Sequence, residues 1–179
     1  ERWFAEDSPV RRVHGDASMF VGGIRALLLQ SLHPLAMAGV MDHSGFGGDP
    51  WGRLQRTSYF LAVTTFGTAT DAERMTAAVR RAHASVVGTA PDGRAYAASD
   101  PRLLRWVHVA EIDSFLTAHQ RYGARPLDQA GRDRYVDWYY KHLIDITEER
   151  VTLEPRDVPG RPEGVHRPLE RKCDGDGCS

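Results

Sequence analysis

Three residue types gather in one stretch in a pattern that a plain helical core does not need. Between Pro50 and Gly88 the chain carries Arg53 and Thr57 four residues apart, then His83 inside an apolar stripe. A cation, a hydroxyl and an imidazole buried together are costly unless something pairs with them. A bound cofactor bearing acidic groups and a metal would supply those partners. Each residue also has a plainer account. Arg53 can snorkel to water, and Thr57 can bond its own backbone carbonyl. A lone histidine on an apolar face is usually a satisfied core residue, although imidazole is also the commonest metal ligand. His108 and Glu111 form a second candidate pair, three residues apart on one helix. They suit a second ligand, a proton relay or a structural hydrogen bond, and such pairs are often structural only. His33 stands at a helix junction before Pro34.

The elements that must position these groups read as helices. Asp49 and Pro50 suit an N-cap and a first helical position. Trp51, Leu54, Leu61 and Ala62 give that helix an apolar side, and Gly67 ends it. Positions 53, 57, 60 and 64 share a face that reads Arg, Thr, Phe, Thr. In the next helix Thr70 and Glu73 form a capping box, Met75, Val79, Ala82 and Val86 form the stripe that holds His83, and Gly88 stands at C′.

Upstream, residues 1–13 begin without a cap, and Trp3 with Phe4 is expected to pack as a short helix. His14-Gly15-Asp16 reads as a turn whose Asp16 caps a strongly apolar helix over 17–32, with Phe20, Ile24, Leu27 and Leu28 helically spaced. Gly22-Gly23 costs that helix about 1 kcal/mol per glycine relative to Ala. Such a pair is tolerated where another helix or a flat ligand approaches the backbone. His33-Pro34 breaks the helix. A short helix of small residues follows, then a polar loop holding His43.

Downstream, Pro91-Asp92-Gly93 is a turn. The segment 89–100 is expected to cross the surface or cap a pocket mouth, with Tyr96 pointing inward. Asp100 and Pro101 open a helix that runs to Gly123. Leu104, Val107, His108, Glu111 and Phe115 share one of its faces. A last helical segment, 127–152, clusters Tyr135, Trp138 and Tyr139. No alternating pattern of useful length suggests strands, so the expected class is all-α with about six helices.

The whole chain sets bounds. Its 179 residues suit one domain, taken as a helical domain over 1–152 and a Pro/Gly/charge-rich tail over 153–179 that is expected to be disordered. The net charge of -1 and the lack of a basic, aromatic-laced cluster argue against nucleic acid as a partner. No apolar run approaches the roughly 18 residues of a transmembrane helix, and a soluble, cytoplasmic protein is the expectation. Cys173 and Cys178, the two cysteines, lie in the tail and form no disulfide framework. The oligomeric state is not legible.

The stretches over 2–44, 49–68, 79–89 and 92–116, with DPWGRLQRTSYFLAVTTFGT and VRRAHASVVGT among them, resemble the oxygenase family of fungal MpaB and the rubber oxygenase, or latex-clearing protein. The resemblance covers about two thirds of the chain, in the expected order. It implies a globin-like helical bundle binding haem b. Arg53 and Thr57 match the family's Arg-x-x-x-Thr pair, and His83 matches its axial ligand to the haem iron. Arg53 or Arg56 would then meet a haem propionate, while His33, His108 and Glu111 are the distal or supporting candidates. Phe20, Leu28, Met37, Phe60 and Val86 would line the macrocycle and an apolar channel. The implied function is a haem-dependent oxygenase acting with dioxygen on a small apolar organic substrate of the isoprenoid kind. Family members continue through further helices after the position of Gly123, so a C-terminally truncated bundle is an expectation too. With it stands an alternative function, a haem- or small-molecule-binding module, or an inactive remnant, without turnover. A haem-free metal enzyme using His33, His83, His108 and Glu111 is a third possibility.

Overall fold

The computed structural model describes residues 1–43 and 50–147, with Pro50, Trp51, Arg53, Leu54 and residues 139–147 described for their backbone alone. Among these residues run seven helices and one pair of short strands. They are α1 Pro9–His14, α2 Ser18–Gln30, α3 Pro34–His43, α4 Pro50–Phe66, α5 Ala69–Ser85, β1 Val87–Thr89, β2 Ala95–Ala97, α6 Pro101–Tyr122 and α7 Gln129–Thr147. The class is all-α, as the periodicity predicts. The capping residue Asp49, the glycine loop that follows His43 and the tail over 153–179 lie outside the described residues.

Local chemistry starts most helices. The Asp100 side chain accepts from the Arg102 N–H at 2.8 Å, with Pro101 behind it, and α6 ends before Gly123. Both limits agree with the sequence. For α5 the cap lies two residues earlier than expected. Thr68, in extended backbone, accepts from the Asp71 N–H. The reason is the tight turn after Gly67, where the chain enters the helix as soon as an oxygen can meet an orphan donor. Near the N-terminus the helix is α1, capped by Ser8, and not a segment holding Trp3 and Phe4. Phe4 is instead buried edge-on against Trp138, with ring centroids 3.9 Å apart.

The main core gathers Phe4, Val10, Val13, Leu61, Phe115, Leu127 and Tyr135 from α1, α4, α6, α7 and the segments beside them. The α6–α7 connection is clamped by Gln120, whose amide donates to the Leu127 carbonyl and accepts from its N–H, both at 2.8 Å.

The tightest crossing joins α2 to α6. Ser18, Gly22 and Ala26, spaced by four, are the buried residues of α2. A Cβ on Gly22 would stand 2.9 Å from Phe115 Cδ1 and 3.0 Å from Phe115 Cα. Helix packing, the plainer of the two accounts of the glycine pair, is therefore what Gly22 serves. Arg25 pins the crossing, with its Nη1 2.6 Å from Asp113 Oδ2 and 2.8 Å from Ser114 Oγ. The large residues of α2 point elsewhere. Phe20 is 75% exposed and Leu28 65%, with Ile24 and Leu27 also exposed.

One expectation is corrected at residues 87–97. Gly88 is no helix C′ residue, since α5 ends at Ser85 and Val86 is already extended. Gly88 pairs with Tyr96 in an antiparallel hairpin, and Gly93 (φ 86°) turns it. A side chain at Gly88 would collide with the Tyr96 hydroxyl. Tyr96 does point inward, and its hydroxyl donates to Asp42 Oδ2 at 2.6 Å. It packs with Ala38, Ala90 and Leu103 in a second small core, against which Leu35 and Val86 rest. His43 likewise ends α3 and is no loop residue. Its Nε2 lies 3.2 Å from the Val87 carbonyl oxygen.

Candidate functional site

α4 and α5 leave the Gly67–Thr68 turn as consecutive helices of 17 residues each. Arg53 stands 13 residues before the end of α4, and His83 stands 14 after the start of α5. At 1.5 Å per residue each lies about 20 Å along its helix from the turn, so both belong to the half of the pair remote from it. Arg56 and Thr57 are exposed on α4. Phe60 is half-buried against the main core.

His83 is half-buried on α5. Burial lowers its pKa, because removing water penalises the charged ring. The imidazole is thereby held neutral, the form that donates a lone pair to a metal. His108, on α6, is buried and its pKa falls to about 4, through burial first and, second, the repulsion that a protonated His83 would exert. The two rings are thus within electrostatic reach of each other. His108 Nδ1 is 3.7 Å from Glu111 Oε2, beyond hydrogen-bond length, and this buried nitrogen has no hydrogen-bond partner.

His33 lies apart from that pair. Its ring tilts against Trp106 at 5.8 Å, and its Nδ1 takes the Ala36 N–H at 3.4 Å. The fold therefore draws His83, His108 and Glu111 toward one another, and seats His33 at the start of α3. A haem-free metal centre would need at least three donors to converge. Among the described residues no group of three or more His, Cys, Asp and Glu is placed to hold an ion.

Two buried histidines escape the sequence reading. His14 is no turn residue. It ends α1, with Nδ1 2.8 Å from Thr65 Oγ1 and Nε2 3.2 Å from the Tyr135 hydroxyl. Full burial pushes its pKa down to about 3. Val10, Val13 and His14 hold the i, i+3, i+4 spacing of a buried helical face, and that signal was available. His119, on α6, is fully buried with neither ring nitrogen hydrogen-bonded.

Residues 11–173 match the family described as the ER-bound oxygenase mpaB/B′/rubber oxygenase, catalytic domain. Two curated relatives, the uncharacterised proteins Mb2261 of Mycobacterium bovis and Rv2237 of Mycobacterium tuberculosis, are each 38% identical over 85 residues. Those residues are 47% of this chain and 32% of each relative, so the matched stretch spans about a third of the relatives' length. No solved structure matches the chain.

Proposed function

Because this chain belongs to the mpaB/rubber oxygenase catalytic-domain family, we propose that it is a haem b-dependent oxygenase that acts with dioxygen on an apolar substrate of the isoprenoid kind. The observation that carries the reading is His83, a half-buried imidazole kept neutral by its surroundings.

The donor set fits a macrocycle better than a bare ion. Porphyrin supplies four nitrogens and asks the protein for one axial imidazole. A bare ion asks for three or more side chains, which the described residues do not bring together. When bound, haem would supply dioxygen binding and activation. The chain's own residues would do the rest. His83 would hold the iron through one ring nitrogen. Arg53 or Arg56 offers a guanidinium whose fork matches a propionate. His108 can hold a proton at Nδ1, with Glu111 3.7 Å away to favour it. The exposed Phe20, Ile24 and Leu28 of α2 offer the apolar surface that a water-poor macrocycle and a hydrocarbon substrate both require.

The test is the ultraviolet–visible spectrum of protein purified from cells given a haem precursor, beside His83→Ala. A Soret band that vanishes in the variant is the expected result. A band that survives the substitution moves the ligand to another histidine. No band in either sample sinks the haem reading for this chain. Dioxygen uptake with a polyisoprene oligomer then separates an oxygenase from a haem-binding module without turnover, which would show the band and no uptake.

A further inference from the structure

α2 and α3 taken together are long and apolar enough to cross a membrane, but they bend by 107° at the break between them. Neither spans one alone. At 1.5 Å per residue their 13 and 10 residues measure about 20 and 15 Å, against a hydrocarbon core of about 30 Å.

Such hydropathy is ordinary in a core helix, whose apolar side chains are buried. α2 is the opposite case. Phe20, Val21, Ile24, Leu27 and Leu28 lie on one arc of the helix, and all are exposed. Ser18, Gly22 and Ala26, on the far arc, are the buried ones. Leu32, at the bend, and Met41, on α3, are exposed as well.

The charged groups of the pair are turned to the protein. Its ionisable residues are Arg25, His33, Asp42 and His43. Arg25 is held by Asp113 and Ser114, and Asp42 by the Tyr96 hydroxyl. His33 rests against Trp106, and His43 Nε2 meets the Val87 carbonyl oxygen. The outward arc of α2 therefore carries no charge. A contiguous apolar patch marks a protein or membrane contact, whereas apolar residues scattered singly mark nothing. A protein interface couples its apolar centre to about ten hydrogen bonds. The ionisable groups of this pair are already engaged within the chain, and lipid tails ask for none.

We propose that this chain docks on a lipid bilayer without crossing it, the outward arc of α2 immersed in one leaflet and α6 behind it. Docking stands without haem. It brings the chain to the phase in which an apolar substrate of the kind proposed above dissolves.

The probe is extruded vesicles of phosphatidylcholine, a lipid without net charge. In a flotation assay the full chain is expected to rise with the vesicles equally at low and at high salt, because no ion pair is involved. Phe20→Ser with Leu28→Ser is expected to lower the partition coefficient roughly 10- to 100-fold, as two large apolar side chains leave the lipid, while helical circular dichroism is kept. Tyr59→Ser, which removes an exposed ring on α4, is expected to float like the parent, and so is His83→Ala. A chain that floats without a Soret band therefore refutes the haem and keeps the docking. A folded chain that shows the band and does not float does the reverse. The proposal is also overturned by a double variant that floats unchanged, or by binding that requires anionic lipid and falls with salt. A parent dimer that the double variant breaks, with no flotation, would give the face to a second copy and overturn it too.

Discussion

At the scale of single residues, histidines carry the most information, and their burial divides them. His14 is neutral in the folded chain, with its pKa at about 3 against an ordinary 6.5. Between those values the unfolded chain binds a proton that the folded chain refuses, so stability falls as pH falls through that window. The slope is about 1.4 kcal/mol per pH unit for one such group. His108 adds the same sign down to about 4. Urea unfolding at pH 7 and at pH 4.5 is expected to show a clearly lower midpoint in acid, and equal midpoints would contradict the burial of these rings. Asp16 acts lower on the scale. The Ser18 and Ala124 hydrogen bonds hold its carboxyl at about 2, so its stabilisation is lost only as pH falls below about 4. His14 was legible in principle from its spacing with Val10 and Val13. His119 was not, because nothing local shows that the end of α6 is covered.

At the scale of elements, the α2–α6 crossing is the feature most open to test. Gly22 and Gly23 are neighbours in sequence and opposite in consequence. A methyl at Gly22 meets Phe115 side chain and backbone at 2.9–3.0 Å, and the backbone cannot yield cheaply. At Gly23 the nearest atom is Phe115 Cε1 at 4.0 Å. Gly22→Ala is therefore expected to destabilise by about 1–3 kcal/mol. Gly23→Ala is expected to be neutral or stabilising by up to about 1 kcal/mol through helix propensity. Chemical denaturation of the pair decides it, and a Gly22→Ala variant as stable as the parent would refute the crossing. The hairpin offers a second test. Tyr96→Phe removes the 2.6 Å bond to Asp42. It is expected to lower stability by about 1–2 kcal/mol, within the range for a hydrogen bond to a charged group on a partly exposed partner.

At the scale of the whole molecule, the bundle buries the small face of α2 and leaves its large apolar face outward. That distribution is the reverse of a helix chosen only to build a core. If the face serves haem or substrate, Phe20→Ser with Leu28→Ser should leave the unfolding free energy within about 0.5 kcal/mol for each site, as for other exposed positions, while haem loading drops. The Soret-to-protein absorbance ratio measures the second and urea unfolding the first. Unchanged loading would remove this face from the proposed site. Among the described residues no single helix is long and apolar enough to cross a membrane. The bent pair α2–α3, turning by 107°, passes only as a broken span.

Helix identity, the break at His33-Pro34 and the Asp100 cap were decided by local chemistry, because caps, proline and apolar period act within a few residues of themselves. The spacing of Arg53, Thr57 and His83 is likewise local, but Thr57 is exposed on α4 and not buried with His83 as the sequence suggests. Tertiary structure alone decided which stripe of α2 is packed. Both stripes are apolar, and only the approach of Phe115 to Gly22 distinguishes them. It also decided that residues 87–97 form a hairpin, whose three-residue strands are too short to show a period. The pairing of His14 with Thr65 and Tyr135, 51 and 121 residues away, and the burial of His119 without a hydrogen-bond partner are of the same kind. A side chain's partner across the fold leaves no mark on its neighbours in sequence.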